Sequence, residues 1–185
     1  MKNIANLLFE AKMLKEIPRS GFHFLGAGKE SIAEHSFGAT FIAYVMSQLE
    51  PTVDALKLTS MCLVHDLPEA RIGDLNTVHK TYVKANETKA IKDMIAGLPF
   101  GSSIADLIDE FNECRSPEAK LAHDADQLAL ILELKYLSDI GYAPPDKWLP
   151  PVLNRLKTEI AKNIARSIME SNRDDWWLNN YIDTD

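Results

Sequence analysis

Apolar residues recur along this chain every three to four positions and almost nowhere alternate, which limits it to helices packed on helices. Residues 2–15 put Ile4, Leu7, Leu8, Ala11 and Leu14 on one face. Pro18 opens a loop through Gly21, Gly26 and Gly28, and a second helix is expected over 31–49. Pro51 and Thr52 start a third that reaches His65 and Asp66. Pro68 interrupts it, because its nitrogen cannot donate to the carbonyl of residue 64; a kink or fresh start follows, then a stop at Gly73. Shorter helices are expected over 85–96 and 104–113, the latter with Ser103 and Asp106 as a capping pair. Ser116-Pro117-Glu118 is a helix start built of a capping hydroxyl, a first-turn proline and an acid near the positive end. That helix runs to about Ile140. Residues 141–150 form a loop, and a last long helix covers 151–170. The fold class is all-α, a helical bundle. No repeat or linker divides the 185 residues, so one domain is expected, its core at 2–140 and a C-terminal helix and tail at 149–185.

The formal charge of -7 repels a nucleic-acid backbone, so no polymeric nucleic acid is expected as partner. A phosphate-ester substrate would need a local cation, either a metal or a placed arginine. Cys62 and Cys114 form no CxxC pair and suit reduced thiols in the cytoplasm. Glu10 and Lys12 arrive too early for a secretory segment. The longest apolar stretch, Ser36 to Leu49, falls short of the roughly 18 residues of a spanning helix, so no membrane is expected.

Two of the five histidines precede an aspartate, His65-Asp66 and His123-Asp124, a dipeptide that chance supplies easily in an acidic chain. The surroundings separate them. His65-Asp66 closes the apolar run Met61-Cys62-Leu63-Val64 and so emerges from the core. Glu69 and Asp74 follow, and such a gathering of carboxylates is costly unless a cation compensates it. Asp124 has Lys120 four residues back and Gln127 three ahead, the pattern of an exposed face. Asp126 shares its helix face with Ala122, Ala129 and Leu130, so it needs a metal, a buried arginine or helix amides. His35 opens an apolar helix, where a histidine is more often a satisfied core residue than a ligand. Together His35, His65, Asp66 and Asp126 make a two-nitrogen, two-oxygen set. It suits one divalent ion such as Mn, Co, Fe, Ni, Zn or Mg, and its members can meet at the centre of a bundle.

The order His, His-Asp, Asp resembles the HD-domain superfamily of metal-dependent phosphohydrolases. Three stretches are similar to its 5'-deoxynucleotidase, or oxetanocin-like, branch. The first is Ile17-Pro18-Arg19-Ser20-Gly21 before Glu30-Ser31-Ile32-Ala33-Glu34-His35. The second, His65-Asp66-Leu67-Pro68-Glu69-Ala70-Arg71-Ile72-Gly73-Asp74, is the most specific. The third is Glu118-Ala119-Lys120 leading to Ala125-Asp126-Gln127. The resemblance covers residues 1–140 and selects Asp126 over Asp124. It implies an HD-domain bundle, one metal on His35, His65, Asp66 and Asp126, Arg19 on the substrate phosphate, Glu69 serving the attacking water, and Asp74 against the sugar. Glu34 would stand behind the metal ligands.

That branch often carries an aromatic ring close behind the loop arginine. Here Ser20 and Gly21 follow, leaving Phe22 or Phe24 to supply a ring, and Leu25 to Gly28 lacks the usual basic residue. His79 and His123 are expected at the surface. Trp176-Trp177 is expected to dock on a partner helix or subunit, and the resemblance suggests a homodimer. The expected function is hydrolysis of a nucleoside 5'-monophosphate, preferably deoxy. The alternatives keep fold and metal but take a nucleoside triphosphate, a guanosine polyphosphate or another small ester, or make a metal-stabilised regulatory domain without turnover.

Overall fold

The computed structural model describes residues 1–181, apart from the side chains of 179 and 180. Among them are helices and loops without a strand; a single isolated bridge pairs Pro18 with Ser31. In chain order the helices are α1 (Lys2–Met13), α2 (Phe22–Leu25), α3 (Ile32–Leu49), α4 (Ala55–Val64), α5 (Glu69–Ile72) and α6 (Thr77–Tyr82). Then follow α7 (Glu87–Ile95), α8 (Gly101–Glu113), α9 (Pro117–Asp139), a 3-10 turn (Pro144–Lys147), α10 (Leu149–Leu153), α11 (Glu159–Glu170) and α12 (Asp175–Tyr181).

At the centre α3, α4 and α9 pack on one another through Ala43 and Met46, Leu58, Met61 and Cys62, and Leu121, Leu128, Ile131 and Leu134. A second cluster of Leu7, Leu14, Ile32, Leu67, Ile91, Met94, Ile104 and Ile108 joins α1, α7 and α8 to the start of α3. Helix starts follow their capping chemistry. Ser31 Oγ accepts from the Glu34 amide at 3.2 Å, and Glu34 Oε2 accepts from the Ser31 amide at 2.6 Å, closing a capping box on α3. Ser116 Oγ accepts from the Ala119 amide at 3.1 Å at the head of α9.

The structure moves several boundaries. α4 begins at Ala55 rather than at Pro51, because Asp54 caps it by accepting from the Lys57 amide at 3.0 Å. α8 begins at Gly101, so Ser103 lies inside the helix and caps nothing. Gly101 is packed so close to residue 95 that a Cβ there would come within 2.7 Å of the Ile95 carbonyl oxygen. α6 occupies a stretch left unassigned by periodicity, and its start is Asn76, which accepts from the Val78 and His79 amides, both at 3.0 Å.

The expected helix over 151–170 is broken into α10 and α11. The cause is Asp124, which is wholly buried rather than exposed. Its carboxylate accepts from the Lys157 amide at 2.8 Å and from the Thr158 amide and hydroxyl, each at 2.7 Å. Those bonds draw residues 157–158 out of helical conformation, and Thr158 then caps α11 through the Ala161 amide at 3.3 Å. The carboxylate at this position thus ties the C-terminal segment to α9.

Candidate metal and phosphate site

His35 stands in the first turn of α3, Asp126 in the middle of α9, and His65 and Asp66 just past the last turn of α4. The α3–α4–α9 packing brings the four together. His35 Nε2 lies 2.7 Å from Asp126 Oδ1 and 4.0 Å from Asp66 Oδ2. His65 Nε2 lies 3.3 Å from Asp66 Oδ2 and 3.9 Å from Asp126 Oδ1. Ligand atoms of His35, His65 and Asp126 all fall within 4.8 Å of one another, a spacing able to hold a metal ion. His65 Nδ1 bonds the Cys62 carbonyl at 2.7 Å, which leaves Nε2 aimed at the carboxylates, buried and without a hydrogen-bond partner. Two imidazoles and two carboxylates converging on one point, one nitrogen unsatisfied, fit a divalent cation.

The electrostatics agree. Burial would lower the pKa of His65, but the negative charge of Asp66, 3.3 Å away, then that of Asp126, hold it up at about 9. Burial would raise the Asp126 pKa, yet the hydrogen bond and charge of His35, then His65 and Arg19, keep it well below the usual carboxylate range. Asp66 is likewise lowered against burial by His65 and Arg19. Without a cation, the carboxylates are held together in part by the proton kept on His65.

Pro68 ends the α4 path, and the turn after it points Glu69 into the same space, with Glu69 amide bonding the Asp66 carbonyl at 3.0 Å. Burial, then Asp66 and Asp74, push the Glu69 pKa up to about 8, and its Oε2 is buried without a partner. Arg19 reaches Asp66 with Nη1–Oδ2 at 3.4 Å. Burial opposes its charge, but Asp66, Asp126, Asp74 and Glu69 more than offset this and hold it protonated. Asp74 Oδ2 accepts from the Ser20 amide at 2.6 Å, so it also anchors the loop that presents Arg19. Arg71 ties α5 to α1 through Glu10 at 2.5 Å.

These groups open onto a cavity of about 1070 Å³, floored by Arg19, His65, Asp66, Glu69, Asp74 and Asp126. His35 is wholly buried behind them. Its far wall carries residues outside the sequence-level set: Trp148 and Arg155 from the C-terminal segment, and Gln127 beside the ligand. Gln127 Nε2 donates to Asp126 Oδ2 at 2.7 Å, steadying that carboxylate. Phe22 and Phe24 both line the cavity, Phe22 buried and Phe24 56% exposed, and Trp148 adds a third ring beside the arginine loop, which a Cβ on Gly21 would meet at 4.0 Å. No local pattern around Arg19 signals a tryptophan so distant in sequence.

Two expectations change here. Glu34 does not stand behind the ligands; its carboxylate is spent on the α3 cap. Glu30 faces His35 instead, with Oε2 3.8 Å from Nδ1. Burial, then the Glu133 charge, push the Glu30 pKa up to about 7. His123 is half-buried rather than superficial: it stacks on Phe111 at 4.1 Å, and its Nε2 lies 2.8 Å from the Phe111 carbonyl. His79 is exposed on α6, as expected.

Residues 11–168 match the sequence family described as HD domain. The chain is 29% identical over 133 residues to 5'-deoxynucleotidase HDDC2 of Dictyostelium discoideum, covering 65% of this chain and 70% of that protein. It is 27% identical over 150 residues to 5'-deoxynucleotidase HDDC2 of Danio rerio, covering 78% and 74%. Among solved structures it resembles the PH0347 protein of Pyrococcus horikoshii OT3, with a TM-score of 0.74 and 31% identity over 90% of this chain and 98% of that one. The family match takes in His35, His65, Asp66 and Asp126, and the chain belongs to the HD-domain family.

Proposed function

We propose that this metal-dependent phosphohydrolase removes the phosphate of a nucleoside 5'-monophosphate, preferring a deoxyribonucleotide and releasing nucleoside and inorganic phosphate. One observation carries the proposal: a Glu69 carboxyl with one buried, unpartnered oxygen and a half-buried arginine line one cavity with the His-Asp cluster. The names of the curated relatives support the substrate class. His35, His65, Asp66 and Asp126 would hold one divalent ion, which when bound draws charge from a phosphoryl oxygen and acidifies a water.

The remaining work falls to the chain. Arg19 pairs with the phosphate and neutralises charge that the carboxylates would repel. Glu69, one turn beyond His65-Asp66, orients the attacking water and, ionised once a bound cation would offset the Asp66 charge, accepts its proton. The water oxygen attacks phosphorus, the bond to the 5'-oxygen breaks, and that oxygen takes a proton from solvent. Asp74 has one oxygen on the Ser20 amide and offers the other to the 3'-hydroxyl of the sugar. Trp148 and Phe24 give the base an aromatic wall.

A second reading, a substrate with a longer phosphate chain such as a nucleoside triphosphate or guanosine polyphosphate, is favoured by Lys80, Lys147 and Arg155 around the same cavity. A regulatory domain without turnover would leave the Glu69 placement without a use. Phosphate release from a panel of deoxy- and ribonucleotides, mono- to triphosphate, in each candidate metal decides among them. Fastest release from a deoxynucleoside monophosphate is expected, and faster turnover of triphosphates would overturn the monoester assignment.

The same proposal places all 185 residues in one domain, in the cytoplasm, as a homodimer. No described helix is long and apolar enough to cross a membrane, and both cysteines are free.

A further inference from the structure

Two buried polar atoms in this protein face each other, neither with a hydrogen-bond partner: His35 Nδ1 and Glu30 Oε2. They lie 3.8 Å apart, with the His35 side chain fully buried and that of Glu30 8% exposed. The other edge of the imidazole is the one turned toward the site, with Nε2 2.7 Å from Asp126 Oδ1. A neutral imidazole that offers the Nε2 lone pair to a cation carries its proton on Nδ1, and a buried N–H needs an acceptor. His65 meets that need with the backbone, the Cys62 carbonyl at 2.7 Å. His35 has only a side chain in front of it.

We propose that Glu30 is the positioning residue for His35: it accepts the Nδ1–H, holds the tautomer that turns the Nε2 lone pair inward, and thereby sets the metal affinity. A carboxyl group can accept through an oxygen whether or not it carries a proton itself. The backbone aims Glu30 at this task. Its carbonyl accepts from the Arg19 amide at 2.8 Å, and the neighbouring Pro18–Ser31 bridge fixes the same two strands of loop. One residue therefore holds the phosphate-binding loop with its main chain and a ligand with its side chain. The proposal rests on His35 being a ligand.

The test uses the full chain loaded with Zn²⁺, comparing wild type, Glu30→Gln, Glu30→Ala and His35→Ala. Zinc affinity is read by competition with a chelator, and folding by thermal unfolding of the metal-free proteins. Proton and ring-nitrogen NMR of the zinc-loaded protein reads the His35 Nδ1–H, its chemical shift and its exchange with solvent. Glu30→Ala should weaken zinc binding by about 10- to 100-fold, the usual cost of removing a ligand's supporting group, and should shift the His35 Nδ1–H resonance and speed its exchange. Glu30→Gln, whose amide oxygen can still accept, should lose less, by about threefold or more. A merely structural role would lower the melting temperature and leave both readouts of the folded protein unchanged. Zinc affinity within twofold of wild type in a folded Glu30→Ala overturns the proposal; if that variant does not fold, the same result in Glu30→Gln does. Unchanged affinity in His35→Ala would instead sink the ligand assignment.

Discussion

Glu69 and Arg19 line the cavity beside the His-Asp cluster, at its proposed reacting end, and their substitutions should separate turnover from binding. Glu69→Ala should lower kcat by roughly 10²-fold or more with metal and substrate still bound, the scale of an acid–base group. Arg19→Ala should act mainly on KM. Asp74→Ala should relax the deoxy preference and also raise KM, since Asp74 holds the Ser20 amide beside Arg19. Steady-state kinetics on paired deoxy- and ribonucleotides measure all three; wild-type turnover in metal-loaded Glu69→Ala would refute the role given to it. Protons on His65, Glu69 and Glu30 set the pH response of the metal-free protein. His65 holds its proton to about 9, Glu69 to about 8 and Glu30 to about 7, each above its ordinary value. A raised folded-state pKa contributes stability that is complete below the unfolded value and lost as pH climbs through the folded one. All three therefore act in one direction, and the melting temperature of chelator-treated protein should fall between pH 5 and 9. Asp66 and Asp126, lowered, act oppositely and only as pH drops through the acid range below their ordinary values. A flat or rising melting temperature from pH 5 to 9 would contradict this.

At the level of helices, much of the candidate site was legible because the proposed metal ligands sit where local signals converge. His65-Asp66 ends an apolar run just before a helix-breaking proline, and Asp126 lies on a small apolar face of α9. Pairwise placement across the fold was not legible. Asp124 resembled a solvated residue because its sequence neighbours are polar, while its partners are amides more than thirty positions away. Glu34 and Glu30 are four residues apart, and only the cap geometry shows which one is free to face His35. The two aspartates of α9 should consequently fail in different ways. Asp126→Ala should lose metal and activity together. Asp124→Ala should keep both while folded but melt lower, since the Lys157 and Thr158 groups lose a buried acceptor, at a cost on the order of 3 kcal/mol. Metal analysis beside denaturant unfolding of both variants checks this; equal metal loss in the two would assign the wrong carboxylate to the site.

Over the whole molecule, apolar surface remains uncovered. Phe37, Phe41 and Tyr44 form a row along the outside of α3, 73%, 58% and 52% exposed, with ring centroids 6.4 and 6.3 Å apart. Trp176 of the tail is 77% exposed and Trp177 is 40% exposed. Such surface supports the proposed homodimer, and light scattering at micromolar concentration should give twice the chain mass of 20.7 kDa. A monomer mass would remove the dimer from the proposal.

The bond between Asp124 and the start of α11 has a consequence for the order of synthesis. A chain emerging from the ribosome presents His35, His65, Asp66 and Asp126 well before Thr158 exists. Until Lys157 and Thr158 arrive, the carboxylate of Asp124 has no amides to receive it, and the wall bearing Trp148 and Arg155 is not there. The nascent protein therefore carries all four proposed ligands while one wall of its cavity is still missing. The C-terminal segment, last to leave the ribosome, brings Trp148 and Arg155 to that wall and completes the proposed substrate cavity.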